Sequence, residues 1–87
     1  MEEFAKTFTV NISKNRGSVA VAQDILNCTR EFQGYVYIKK NGKTILANSL
    51  IGILSLGLED GDIIKVVCSG NGEFESKLCL NKIGDII

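Results

Sequence analysis

Between Tyr35-Val36-Tyr37-Ile38 and Thr44-Ile45-Leu46 sits the turn Lys40-Asn41-Gly42-Lys43, whose central pair constrains the fold more than any other feature. Asn-Gly flanked by apolar, β-branched runs is the strongest short hairpin signal, because both residues tolerate the positive φ that a tight two-residue turn demands. An antiparallel strand pair is therefore expected in the middle of the chain, and everything else must be built around it. The chain has 87 residues, 45% of them hydrophobic, with no proline. A chain of this size buries roughly 60 to 65% of its unfolded surface, enough for one core. No repeat or Gly/Ser-rich linker divides it, so residues 1–87 are expected to form one domain.

Upstream of the hairpin, Phe8, Val10 and Ile12 alternate with Thr9 and Asn11, the period-2 pattern of a strand with one buried face. Ser18 is placed to cap a helix carrying Val19, Ala22, Ile25, Leu26 and Thr29 at helical spacing and ending near Phe32. Downstream, Asn48 or Ser49 precedes Leu50, Ile51, Ile53 and Leu54, with Gly57 placed as a stop, so a helix of about two turns is expected there. Asp60-Gly61 turns into the β-branched run Ile63 to Cys68, and a last helix carries Phe74, Leu78 and Ile83. The element order is βαββαβα. The economical arrangement is an α+β open-faced sandwich, a four-stranded antiparallel sheet with three helices on one face. A ubiquitin-like grasp would begin with a hairpin, whereas here the first strand runs directly into a helix.

Ten basic and ten acidic side chains balance. That leaves no electrostatic footprint for nucleic acid or an anionic membrane, so neither is expected as a direct partner. No apolar run approaches the roughly 20 residues that span a bilayer. Cys28, Cys68 and Cys79 are an odd number without CxxC spacing, which reads as reduced thiols in a cytoplasmic protein. Cys68 continues the Ile64 and Val66 face of its strand and Cys28 lies within a helical pattern, so both are expected in the core. The chain contains no histidine, which removes the usual activator of a thiolate or hydroxyl and the usual complement of cysteine in a zinc site. Neither an enzyme nor a metal or cofactor site is expected.

The segment Asn41-Gly42-Lys43-Thr44, followed by Ser49-Leu50-Ile51-Gly52-Ile53-Leu54-Ser55-Leu56-Gly57, resembles the regulatory region of HPr, the phosphocarrier family of Gram-positive bacteria. That family has the element order just read. It places its phosphoacceptor histidine at the start of the first helix, with arginine two residues on and then proline. Counting back from the hairpin puts Ser18 at the histidine position, Ala20 at the arginine and Val21 at the proline; counting forward from the first strand gives Gly17 and Val19 instead. Neither register restores a nitrogen nucleophile that is partly neutral near pH 7, and serine without an adjacent base is no substitute. Arg16 nearby is a candidate to meet an anion, against the plainer role of a solvated loop charge.

Loss of the histidine with retention of the serine resembles the Crh group within this family, although here the whole active-site loop is altered. The resemblance implies phosphorylation of Ser49 by HPr kinase/phosphorylase, action as a corepressor with a CcpA-type regulator, and contact with phosphotransferase-system proteins. It also implies a partner-binding surface formed by Leu50, Ile51, Leu54 and Ser55. A two-turn helix with four large aliphatics cannot bury all of them on one side, so one or two are expected in solvent.

Overall fold

The computed structural model describes residues 2–12 and 17–87. Among them the chain runs β1 (Glu3–Thr9), α1 (Ser18–Glu31), β2 (Tyr35–Lys40), β3 (Lys43–Leu46), α2 (Leu50–Leu54), β4 (Ile63–Ser69) and α3 (Glu73–Ile86). The strands form one antiparallel sheet in the order β1-β4-β2-β3. The hairpin closes as the Asn-Gly pair requires: Asn41 and Gly42 take φ of 49° and 80°, and Lys40 pairs with Lys43. α1 packs on α2 and α3, α3 covers β1 and β4, and α2 leans on β3. The core fills the layer between helices and sheet. Ile64, Val66 and Cys68 of β4 and Val36 and Ile38 of β2 face it, meeting Ile25 and Leu26 of α1 and Ile83 of α3.

Gly34 lies where α1 turns into β2, and the turn passes very close to the end of β4. A Cβ there would come within 2.4 Å of the Ser69 carbonyl oxygen and 2.7 Å of the Phe32 ring. Only a residue without a side chain lets the two backbones approach this far. Thr29, read as part of the apolar stripe of α1, is buried, and its hydroxyl lies 2.7 Å from the Ala47 carbonyl oxygen, tying α1 to the end of β3.

Four details differ from the sequence reading. The first strand is Glu3–Thr9, so Val10 and Ile12 follow it rather than belong to it. Val10 is nonetheless buried, held by hydrogen bonds from its amide to Asp62 and from Gly61 to its carbonyl. The N-cap of α1 is Gly17, without a side-chain cap, and Ser18 is the first helical residue. Val19 is 56% exposed, while Val21 takes the buried position on the stripe Val21, Ala22, Ile25, Cys28 and Thr29. Residues 19 and 21 lie about 200° apart around a helix, so only one of them can face the core. On α3 the buried stripe is Ser76, Cys79, Leu80 and Ile83, which turns Phe74 and Leu78 outward.

Candidate regulatory site

Asn48 turns back on Leu46 through a backbone hydrogen bond, and Ser49 follows in an extended conformation that starts α2. Its hydroxyl oxygen accepts from the Gly52 amide at 3.0 Å, satisfying one of the N–H groups that every helix leaves free in its first turn. Ser49 itself is exposed. Gly52 is tied to this geometry, since a Cβ there would come within 2.9 Å of the Ser49 oxygen.

The far end of α2 is held from the hairpin. Lys40 donates to the carbonyl oxygens of Leu56 at 3.0 Å and Gly57 at 2.7 Å, and its ammonium pairs with Asp62 at 2.7 Å. Lys43 donates to the backbone oxygen and hydroxyl of Ser55 at 3.2 and 3.3 Å. The Ser55 hydroxyl in turn donates to Gly52. These two cations sit just past the C-terminal end of α2, on the carbonyls of Ser55, Leu56 and Gly57, where positive charge complements the helix's negative end. Gly57, with φ of +61°, ends the segment. The hydrogen bond from Lys40, together with one from the Glu59 amide, holds the Asp62 carboxyl below the ordinary carboxylate range. The sequence reading gives Lys40 and Lys43 only as flanks of the turn and assigns Asp62 no role. The symmetric placement of the two lysines around Asn41-Gly42 is the local signal that both reach the same side of the hairpin.

The aliphatic residues of α2 divide by direction. Ile51 is 80% exposed and Ile53 is 1% exposed, while Leu50 and Leu54 are half-buried against the core. The expected exposed patch of Leu50, Ile51 and Leu54 is therefore narrower: Ile51 alone stands fully in solvent. The reason is that α2 is only five residues long and leans on both β3 and α1, so its sides are covered as well as its base.

Ser18 shares a shallow depression with Ile12, Val21, Ile53, Leu54 and Leu58. The start of α1, where the sequence reading expects the family's histidine position, and the α2 segment thus form neighbouring parts of one surface. Among the described residues its lining is aliphatic apart from Ser18 and Gly57. Arg16 lies outside the described residues.

The cysteines, separate in sequence, are not separate in space. Cys28 of α1 and Cys79 of α3 place their sulfurs 4.0 Å apart, and Cys68 of β4 belongs to the same buried core. All three are buried. Hydrogen bonding to Cys79 and burial push the Cys28 thiol far above the ordinary thiol range, so it is protonated at neutral pH.

The family model described as the PTS HPr component phosphorylation site matches residues 5–87. Among curated proteins, the HPr-like protein Crh of Halalkalibacterium halodurans is 36% identical over 45 residues, which make up 52% of this chain and 54% of that protein. The chain thus matches about half the length of that relative. Among solved structures, the phosphocarrier protein HPr of Bacillus anthracis superposes with a TM-score of 0.77 at 26% identity, over 98% of this chain and 96% of the other. HPr-C-His of Thermoanaerobacter tengcongensis gives a TM-score of 0.76 at 22% identity, over 100% and 91% of the two chains, a likeness of fold. No helix among the described residues is long and apolar enough to cross a membrane. With a family match that runs from the first strand to the last residue, the chain belongs to the HPr-like phosphocarrier family.

Proposed function

We infer that residues 1–87 act as a single non-catalytic HPr-like domain of the sugar phosphotransferase system or of carbon catabolite regulation. The domain receives phosphate on Ser49 and works by binding protein partners through the face from Ser49 to Leu56. The observation that carries this reading is the exposed Ser49 hydroxyl at the start of α2, beside the exposed Ile51, in a chain of this family that contains no histidine. An O-phosphoserine needs no imidazole in the acceptor, because an external kinase supplies the base and the nucleotide. A phosphoramidate relay needs one.

Phosphorylation replaces one neutral hydroxyl by a group with about −1.5 to −2 charges and strong acceptor oxygens. These oxygens extend the acceptor role that Ser49 already has toward the Gly52 amide, so the change is one of surface charge beside Ile51 rather than of fold. A partner that packs on Ile51 then meets an anion at the rim of its contact. The modifying enzyme is an HPr kinase/phosphorylase, and the reader is a CcpA-type regulator or another phosphotransferase-system protein, in the cytoplasm. Carriage of phosphate through Ser18 is disfavoured by the weakness of an unactivated hydroxyl as a nucleophile in a chain without histidine.

Incubation with an HPr kinase/phosphorylase and ATP, followed by intact mass, tests the assignment. The wild type is expected to gain one phosphate and Ser49→Ala none. An unmodified wild type would leave a binding module of the same fold without phosphorylation. A phosphate acquired equally by both proteins would move the site elsewhere.

A further inference from the structure

The largest group of chemically reactive side chains away from α2 is the set of three thiols. Cys28 lies on the inner face of α1, Cys79 on the inner face of α3, and Cys68 in the middle of β4. The first two are 51 positions apart in sequence, yet their sulfurs stand 4.0 Å from each other, with the Cys28 sulfur also 3.8 Å from the Cys79 carbonyl oxygen.

The pair is not sealed. A cleft of about 230 Å³ between α1 and α3 has Cys28 and Cys79 in its wall, with Leu78 and the charged residues Glu31, Glu75 and Lys82 around them. Lys82 reaches across this cleft to Glu31 at 3.2 Å, an exposed ion pair that solvent readily opens. Cys28 is 8% and Cys79 4% exposed, whereas Cys68 shows no exposed surface and is absent from the cleft wall. A small neutral oxidant entering from solvent thus meets Cys28 and Cys79 and not Cys68.

We propose that Cys28 and Cys79 form a site of oxidative modification, at which a peroxide converts the two thiols into a disulfide joining α1 to α3. Cys28 loses its proton to solvent and its sulfur attacks one peroxide oxygen. The O–O bond breaks, giving a sulfenic acid and, with hydrogen peroxide, one water. The Cys79 sulfur then attacks the sulfenic sulfur, the S–O bond breaks, the S–S bond forms, and a second water leaves with the Cys79 proton. Two thiols are oxidised and one peroxide is reduced to two waters. The sulfurs close from 4.0 Å to about 2.05 Å through side-chain rotation and a small approach of the helices. Because the thiols are protonated at neutral pH, the reaction is slow and responds to sustained oxidant rather than to a pulse. The product constrains a long loop of the unfolded chain and holds α1, whose first turn borders the α2 surface, against α3.

The test is made on the wild-type protein, freed of reductant and exposed to hydrogen peroxide, then denatured and alkylated. The proposal expects one alkyl group where the untreated protein takes three, an intact mass lower by two hydrogens before alkylation, and a non-reducing digest in which the Cys28 and Cys79 peptides are linked. Cys68→Ala is expected to keep the linkage and Cys28→Ala to lose it. Three alkyl groups after oxidation, a bridge involving Cys68, or a gain of oxygen atoms without the loss of two hydrogens would each overturn the proposal. The wild-type digest decides the matter without relying on any variant to fold.

Discussion

At the scale of single residues, the site depends on a few polar atoms whose partners are specific. Ser49 caps α2 through the Gly52 amide, and a Ser49→Ala chain is expected to be less stable by about 1 kcal/mol in denaturant unfolding while keeping the same fold. Asp62 makes a sharper prediction because its charge is tied to Lys40. Its folded-state pKa is lowered, so its contribution is fully present above the unfolded carboxylate pKa of about 3.9 and is lost as pH falls through the lower folded value. Unfolding midpoints at pH 7 and pH 3 check this: the wild type is expected to weaken on acidification, and Asp62→Asn to weaken less because that linkage is already absent. Ser76 is the opposite case. It has no exposed surface, and its hydroxyl is the one buried side-chain polar atom among the described residues that lacks a hydrogen-bond partner. Removing an unsatisfied buried hydroxyl relieves its desolvation, so Ser76→Ala is expected to leave stability unchanged or raise it by up to about 1 kcal/mol.

At the scale of elements, the readable parts were those set by local rules. The Asn41-Gly42 turn and the stop at Gly57 rest on a positive-φ preference that any tertiary context must respect, and the β-branched run of β4 suits a pleated, half-buried surface. What went unread was direction. Val19 and Val21 are the same residue type two positions apart, and which one is buried depends on how α1 packs against α2 and α3, elements from distant parts of the sequence. On α3 the larger apolar residues, Phe74 and Leu78, face solvent, while a stripe containing a serine and a cysteine faces the core. Hydrophobicity alone points to the wrong face there. The close pass of Gly34 beneath the end of β4 was equally silent, because the glycine only marked a break after α1. Gly34→Ala is expected to cost about 1 to 3 kcal/mol, measurable as a lower denaturation midpoint, since the added methyl meets a backbone oxygen that cannot swing away.

At the scale of the molecule, the βαββαβα order places two surfaces side by side. The start of α1 meets the α2 segment in a single depression, so Ser18 and Leu54 belong to one continuous face. The convergence of Cys28, Cys68 and Cys79 belongs to this scale too. It follows from packing α1 and α3 together over β4 and has no signature in their spacing. On the proposed function, phosphate enters this protein at Ser49 from a nucleotide-dependent kinase and not at the head of α1 from the phosphoenolpyruvate relay. Phosphopeptide mapping of one preparation treated in parallel with HPr kinase/phosphorylase plus ATP and with enzyme I plus phosphoenolpyruvate tests it most directly. Phosphate is expected on the Ser49 peptide in the first reaction and on no peptide in the second. Phosphate on the Ser18 peptide in the second reaction, with Ser49 unmodified in the first, would contradict it.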